Sequence, residues 1–493
     1  MKKYFAKIAI LLVICICLPL LVACDNGGID SQFPTNSVED KDDNNGSNEM
    51  NNDDKSNETS VKDTNEFVVE TEEKDSGDQT DANTETKVTE ESIETNKATE
   101  TITETATKTD TLTATINETI TETETETETI VFSEGLEFTS KGDGTCYVSG
   151  IGNCTDKEII IPYVSPIGEI VVSIGKEAFK NCINIMSITI PNSVTSISQD
   201  AFEFCVGLTS ITIPKSVTQI GYAAFNSCFK LVEVINHSSL YVSKGEHSNG
   251  YIALNAKKVH KGETEIDNQN GYLFYTYNDI NYLMGYVGND TELHLPESYN
   301  GEKYEIYKYA FYCCESITSV TISEGVTNIG YKAFYECSNL KNVMIVKGAT
   351  RIEESSFQGC VNLAYISIPE SVESIEKAAF GGCTSLESIA IPYSVTAIGN
   401  SAFSGCIGLT SVIIPDSVTF VAPYAFYYCT SVTSIIISKN VTYIGELAFY
   451  CPAVENIYFT GTAEDWAAIK IEYSSYDDVF KNANIIYNYV PEE

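Results

Sequence analysis

The sequence predicts a repeat solenoid, with a parallel β-sheet on one face, short helical turns and loops on the other, and a disordered tether in front. Three observations predict it. A phenylalanine, nearly always preceded by alanine, recurs every 23 residues; an Ile-x-Ile strand signal recurs with it; and the composition changes abruptly near residue 130. A unit of that length cannot close its own core, so stacked copies must share one.

The phenylalanines are Phe179, Phe202 and Phe225, then Phe311, Phe334, Phe357, Phe380, Phe403, Phe426 and Phe449, with Ser356 standing once in place of the alanine. A cysteine follows three residues later at Cys182, Cys205, Cys228, Cys314, Cys337, Cys360, Cys383, Cys406 and Cys429, and slips by one to Cys451 in the last unit. The rest of the unit reads as in residues 208–221. Ile211 and Ile213 alternate with Ser210 and Thr212, the pattern of a strand with one buried face. Pro214 ends it, because proline cannot donate to a ladder. Val217, Ile220, Ala224, Phe225 and Leu231 supply further inward anchors, and the Ala-Phe segment reads as a short helical turn.

On these residues the sequence resembles the BspA-like leucine-rich repeats of bacterial surface proteins, over about residues 174–236 and 306–460. The resemblance implies attachment to host matrix proteins or cells. In horseshoe repeats the outward strand residues line one continuous face. Here the first outward position is mostly serine but carries Tyr365. The second begins with threonines and turns apolar at Met344, Ala390, Ile413, Ile436 and Tyr458. An outward apolar run is unusual on a solvated sheet, so Met344, Tyr365, Ala390, Ile413, Ile436 and Tyr458 form the candidate partner-binding face. The competing explanation is that the C-terminal segment covers those residues, or that β-propensity alone selects them.

The N-terminus reads as an address. Residues 2–7 are basic and residues 8–22 are apolar, a length that suits a secretory signal and is short for a spanning helix. The tetrapeptide Leu21-Val22-Ala23-Cys24 resembles a lipobox. That resemblance implies cleavage before Cys24 and a diacylglycerol on its thiol, hence a lipid-anchored protein on the outer face of a bacterial membrane. Residues 25–130 hold 30 acidic and 7 basic residues and only two aromatics, Phe33 and Phe67. Such a segment cannot bury enough apolar surface to offset its ordering entropy. Fully extended it reaches on the order of 350 Å.

Between Phe225 and Phe311 the chain exceeds the period by 63 residues. Residues 271–311 match 135–179, with Phe274 at Phe138, Gly285 at Gly150 and Pro296 at Pro162, so a β-rich start piece occurs twice; a private insertion is the alternative. The expected layout is a signal peptide (1–23), a tether (24–130), a start segment with three repeats (131–236), a bridge with a second start segment (237–305), seven repeats (306–460) and a cap (461–493). In the cap, Thr462 and Asp465 fit a capping box, and Trp466 and Ile469 face the last rung.

Composition bounds the chemistry. The net charge is −39, Arg351 is the one arginine and Trp466 the one tryptophan. A chain with no basic patch cannot release counterions from nucleic acid. The repeat cysteines read as small buried hydrophobes; a metal site needs clustered ligands, and pairing along the whole stack would strain it. Cys146 and Cys154 flank a hairpin outside the repeats and could pair. A metal site built from His237, His247, His260 and His294 is conceivable, but their wide spacing in Gly/Asn-rich chain favours surface histidines. No nucleophile with its base and no carboxylate pair is visible, so no catalytic residue, metal or cofactor is expected. The expected function is adhesion or protein binding at the cell exterior, with glycan binding as the alternative on account of the 30 tyrosines.

Overall fold

The computed structural model describes residues 131–472 and 479–491; the signal peptide, Cys24 and the tether expected in 1–130 lie outside the described residues. Each repeat makes one turn of a solenoid. In the strand Ser210–Ile213, Ile211 and Ile213 are buried while Ser210 and Thr212 are half-exposed, and its neighbours pair parallel in register, as in Ser210↔Glu233 and Ile211↔Val234. After the proline turn the chain makes a second short strand, as in Gln219–Ile220, where the sequence pattern shows only single inward anchors. In the second block this ladder runs unbroken from Tyr304–Ile306 through Val326–Ile329, Arg351–Ile352, Ser374–Ile375, Ala397–Ile398, Phe420–Val421 and Tyr443–Ile444 to Lys470–Ile471.

The Ala-Phe segment is no helix. Its backbone alternates, so that successive N–H groups serve two purposes. Those of Ala178, Lys180 and Cys182 donate within the turn, to the carbonyls of Gly175, Glu177 and Phe179. Those of Glu177, Phe179 and Asn181 donate along the solenoid axis to Gln199, Ala201 and Glu203 at 3.2, 2.8 and 2.8 Å. Alternation requires left-handed residues, and Glu177 and Asn181 have φ of 59° and 62°. The second of these positions becomes Gly359, Gly382 and Gly405 in later rungs, where a missing Cβ removes the steric cost.

The phenylalanine rings stack from rung to rung. Phe179, Phe202 and Phe225 form one column, with centroids 5.2 and 5.0 Å apart; Phe311 through Phe449 form the other, spaced 4.8 to 5.5 Å with planes within 9°. The cysteines have a more specific role than small hydrophobes. Each thiol from Cys205 onward, other than Cys313 and Cys314, donates to the carbonyl of the phenylalanine one rung earlier. Examples are Cys383 to Phe357 at 3.2 Å and Cys406 to Phe380 at 3.1 Å. No described cysteine forms a disulfide. Cys146 and Cys154 do not pair: Cys146 is fully buried with its sulfur 3.6 Å from the Glu169 carbonyl, and Cys154 is half-exposed.

Two antiparallel hairpins open the two blocks, Glu137–Ser140 with Thr145–Gly150 and Tyr272–Tyr277 with Ile280–Tyr286. Both shift register beside the matched phenylalanines, Phe138↔Val148 and Phe274↔Leu283. In both, the second strand then pairs parallel with the next rung. Asn278 and Asp279, with φ of 51° and 63°, make the tight turn that suits hairpin twist.

The chain between the blocks continues the first solenoid before it leaves it. Lys258–His260 pairs parallel with Glu233–Asn236, Phe225 N–H donates to Gly250 at 2.8 Å, and Ile252, Ala253 and Ala256 join the first core. This turn lacks the phenylalanine and cysteine that mark the others. A small cluster of Val232, Leu273, Tyr275, Met284 and Tyr307 joins the two blocks. At the far end Thr462 and Asp465 form the capping box of the helix Ala463–Ala468, whose Trp466 packs edge-on to Phe459 at 5.1 Å.

Candidate binding face

Outward strand residues are held by their inward neighbours. In the sheet formed by Glu292–His294, Ser319–Ile322, Asn342–Ile345 and Tyr365–Ser367, burial of Val320, Ile322, Val343, Ile345 and Ile366 fixes the alternation. Registers place Thr321, Met344 and Ser367 in one row and Ser319, Asn342 and Tyr365 in the adjacent one. Met344 is 51% exposed and Tyr365 53%. Around them lies an open depression of about 540 Å³, bordered by Glu292, Thr318, Ser319, Thr321, Lys341 and Asn342. It therefore combines a thioether, a phenol ring, one carboxylate, one ammonium and several hydroxyl and amide groups. Val346, 38% exposed at the position where five of the ten repeats carry proline, extends the apolar edge. That departure from the repeat was the available sequence signal for it.

Ile413, Ile436 and Tyr458 form a second group, aligned across Ser411–Ile414, Ser434–Ile437 and Asn456–Phe459 and continued by Ile486. Ile413 is 52% exposed, whereas Ile436 and Tyr458 are half-buried. The C-terminal segment covers part of this group, with the Tyr489 ring 4.7 Å from that of Tyr458. Ala390 is exposed but sits between the groups on irregular chain, because the outer strand row lapses there while the second ladder runs on.

The six residues are thus two groups with Ala390 between them, and the face is not continuous from end to end. Glu233 and Ile235, at outward positions, are buried. The chain that follows folds over them: Glu233 accepts from Thr264 Oγ1 at 2.6 Å and Glu265 N–H at 2.8 Å, and lies 3.0 Å from His260 Nε2. Of the four histidines, His260 is committed to this contact. Among the described residues no three His, Cys, Asp or Glu side chains cluster as a metal site would require. Among the same residues no helix is long and apolar enough to cross a membrane.

No curated protein matches the sequence. Among solved structures, a leucine-rich cell surface protein from Faecalibacterium prausnitzii is 24% identical, with 70% of this chain and 98% of that one covered and a TM-score of 0.33. A leucine-rich repeat protein from Bacteroides ovatus is also 24% identical, with 73% and 78% covered and a TM-score of 0.33. A leucine-rich repeat protein of T. pallidum is 24% identical, with 39% and 85% covered and a TM-score of 0.30. The model of the BspA type leucine-rich repeat region matches residues 154–278, 304–429 and 350–475, six copies in all. More than half of the chain is thereby accounted for, and the chain belongs to the BspA-type leucine-rich repeat family.

Proposed function

We propose that this chain is a surface adhesin or ligand-binding protein that recognises a protein partner through the outward strand face at Met344 and Tyr365. In this reading it is held at the outer face of a bacterial membrane by a lipid on Cys24 and displaced from it by the tether of residues 24–130. The observation that carries the reading is the pair of half-exposed apolar side chains over an open, mixed-polarity depression on regular strands. Met and Tyr are enriched at protein interfaces, and a rim of polar groups lets the depression close over a partner without stranding charges.

The test is a binding array of matrix proteins and glycans probed with the intact chain and with Met344→Asp and Tyr365→Ala. Binding to a protein ligand should fall at least tenfold in both variants while circular dichroism is unchanged. Unchanged binding with an intact fold sinks the site; binding to glycans alone replaces the protein partner with a sugar. A separate measurement addresses the anchor. Cys24→Ser should abolish incorporation of labelled fatty acid and release the chain from the membrane fraction. Full retention of label in that variant would rule out Cys24 as the lipidated residue.

A further inference from the structure

Two lysines cross from the first block to the second, and neither forms an ion pair among the described residues. Lys230 is buried, and its Nζ donates to the carbonyls of Met284 at 2.7 Å and Ala310 at 3.0 Å. Lys157 Nζ donates to the carbonyl of Gly288 at 2.7 Å and more weakly to that of Tyr286 at 3.4 Å. An ammonium has three N–H groups: Lys157 keeps one in hand, and the third of Lys230 is spent only on the weak acceptor Met186 Sδ at 3.9 Å, a contact an anion would displace. Both side chains border the same small cavity, about 150 Å³, between the blocks.

Their acceptors lie close together in the chain: Met284 and Tyr286 belong to the strand Ile280–Tyr286, and Gly288 follows it by two residues. A carboxylate or phosphate accepting one charge-assisted bond of about 2.8 Å through each of two oxygens spans up to about 8 Å between donors. We propose that the cavity between the blocks binds a small oxyanion, a short carboxylate or inorganic phosphate, which bridges Lys157 and Lys230 and tightens the joint. The cavity volume suits an anion of that size, and Glu315, the carboxylate that borders it, forms no ion pair with either lysine among the described residues.

The other titratable groups facing Lys230 across the cavity are Tyr286, Tyr309, Tyr312, Cys314 and Glu315. Burial lowers Lys230 to about 7, so near neutrality it is only partly charged. The anion favours the charged amine, and its binding therefore takes up a proton. Affinity for acetate, which does not itself titrate in this range, should fall roughly fivefold from pH 7 to pH 8.

The experiment follows thermal unfolding of the intact chain in acetate, phosphate or chloride at equal ionic strength and pH 6.5. Acetate or phosphate at tens of millimolar should raise Tm by about 2 °C over chloride, and the arm that does so identifies the anion class. Lys157→Met should remove the increment. Lys230→Met should do the same, but it also removes two buried bonds to carbonyls, so the less buried Lys157 decides. A Tm that rises equally in chloride, or an oxyanion increment that survives in Lys157→Met, overturns the proposal.

Discussion

Replacing Phe380 by alanine is expected to lower stability by about 3–5 kcal/mol, the range for removing a large buried aromatic. Phe380 is fully buried and sits mid-column, with Phe357 at 5.5 Å and Phe403 at 5.3 Å. The change therefore deletes two stacking contacts and leaves a cavity that neighbours on a rigid ladder cannot fill. Its backbone amplifies the loss. The Phe380 carbonyl accepts the Cys406 thiol, and its N–H donates to Ala402 at 2.8 Å, so relaxation there disturbs the next rung too. Because each rung contacts only its neighbours, a weakened rung should also divide the second block into two unfolding units. Chemical denaturation of the intact chain checks this: a loss below about 1 kcal/mol with a single unchanged transition would show that the column contributes packing volume only.

Phe380, Ile211 and their repeats were legible in the sequence because burial leaves a hydrophobic period, and a 23-residue period repeated ten times has no competing explanation. Met344 and Tyr365 were legible for the converse reason, as apolar residues in an outward register. The second ladder and the alternating Ala-Phe turn were not. They consist of backbone bonds between rungs, and Glu177, Asp200, Ala223 and Lys332 occupy left-handed positions without any shared side-chain signature. Nor could the sequence show that Glu233 is covered, since its partners Thr264 and Glu265 arrive from a segment with no repeat character. Lys230 is the same kind of case: an ordinary lysine in the repeat becomes buried only because a second block docks on the first.

The cysteine column makes the fold sensitive to alkali. Burial pushes Cys228 and Cys406 up to about 12 and raises Cys205, Cys337 and Cys383 well above the ordinary value of 9.0; Cys360 and Cys429 move the same way. Each of these thiols must donate its proton to a phenylalanine carbonyl, which a thiolate cannot do. The sign follows from proton counting. Below pH 9 the thiols are protonated in both states, and the column's contribution is intact. Above pH 9 the unfolded chain releases protons that the folded chain retains, so stability falls as pH rises toward the folded values. Each thiol costs about 1.4 kcal/mol per pH unit at full slope, and several act together. Tyr304 and Tyr309, raised by burial, add to the fall above pH 10. The chain should therefore be stable at pH 8 and unfold cooperatively between about pH 9.5 and 10.5 in the presence of reductant. Replacing Cys360, Cys383 and Cys406 together by alanine should lower stability at pH 7 yet move the alkaline midpoint upward. A wild-type circular dichroism spectrum that persists at pH 11, or a midpoint unmoved in that variant, would show that the thiols do not set the limit.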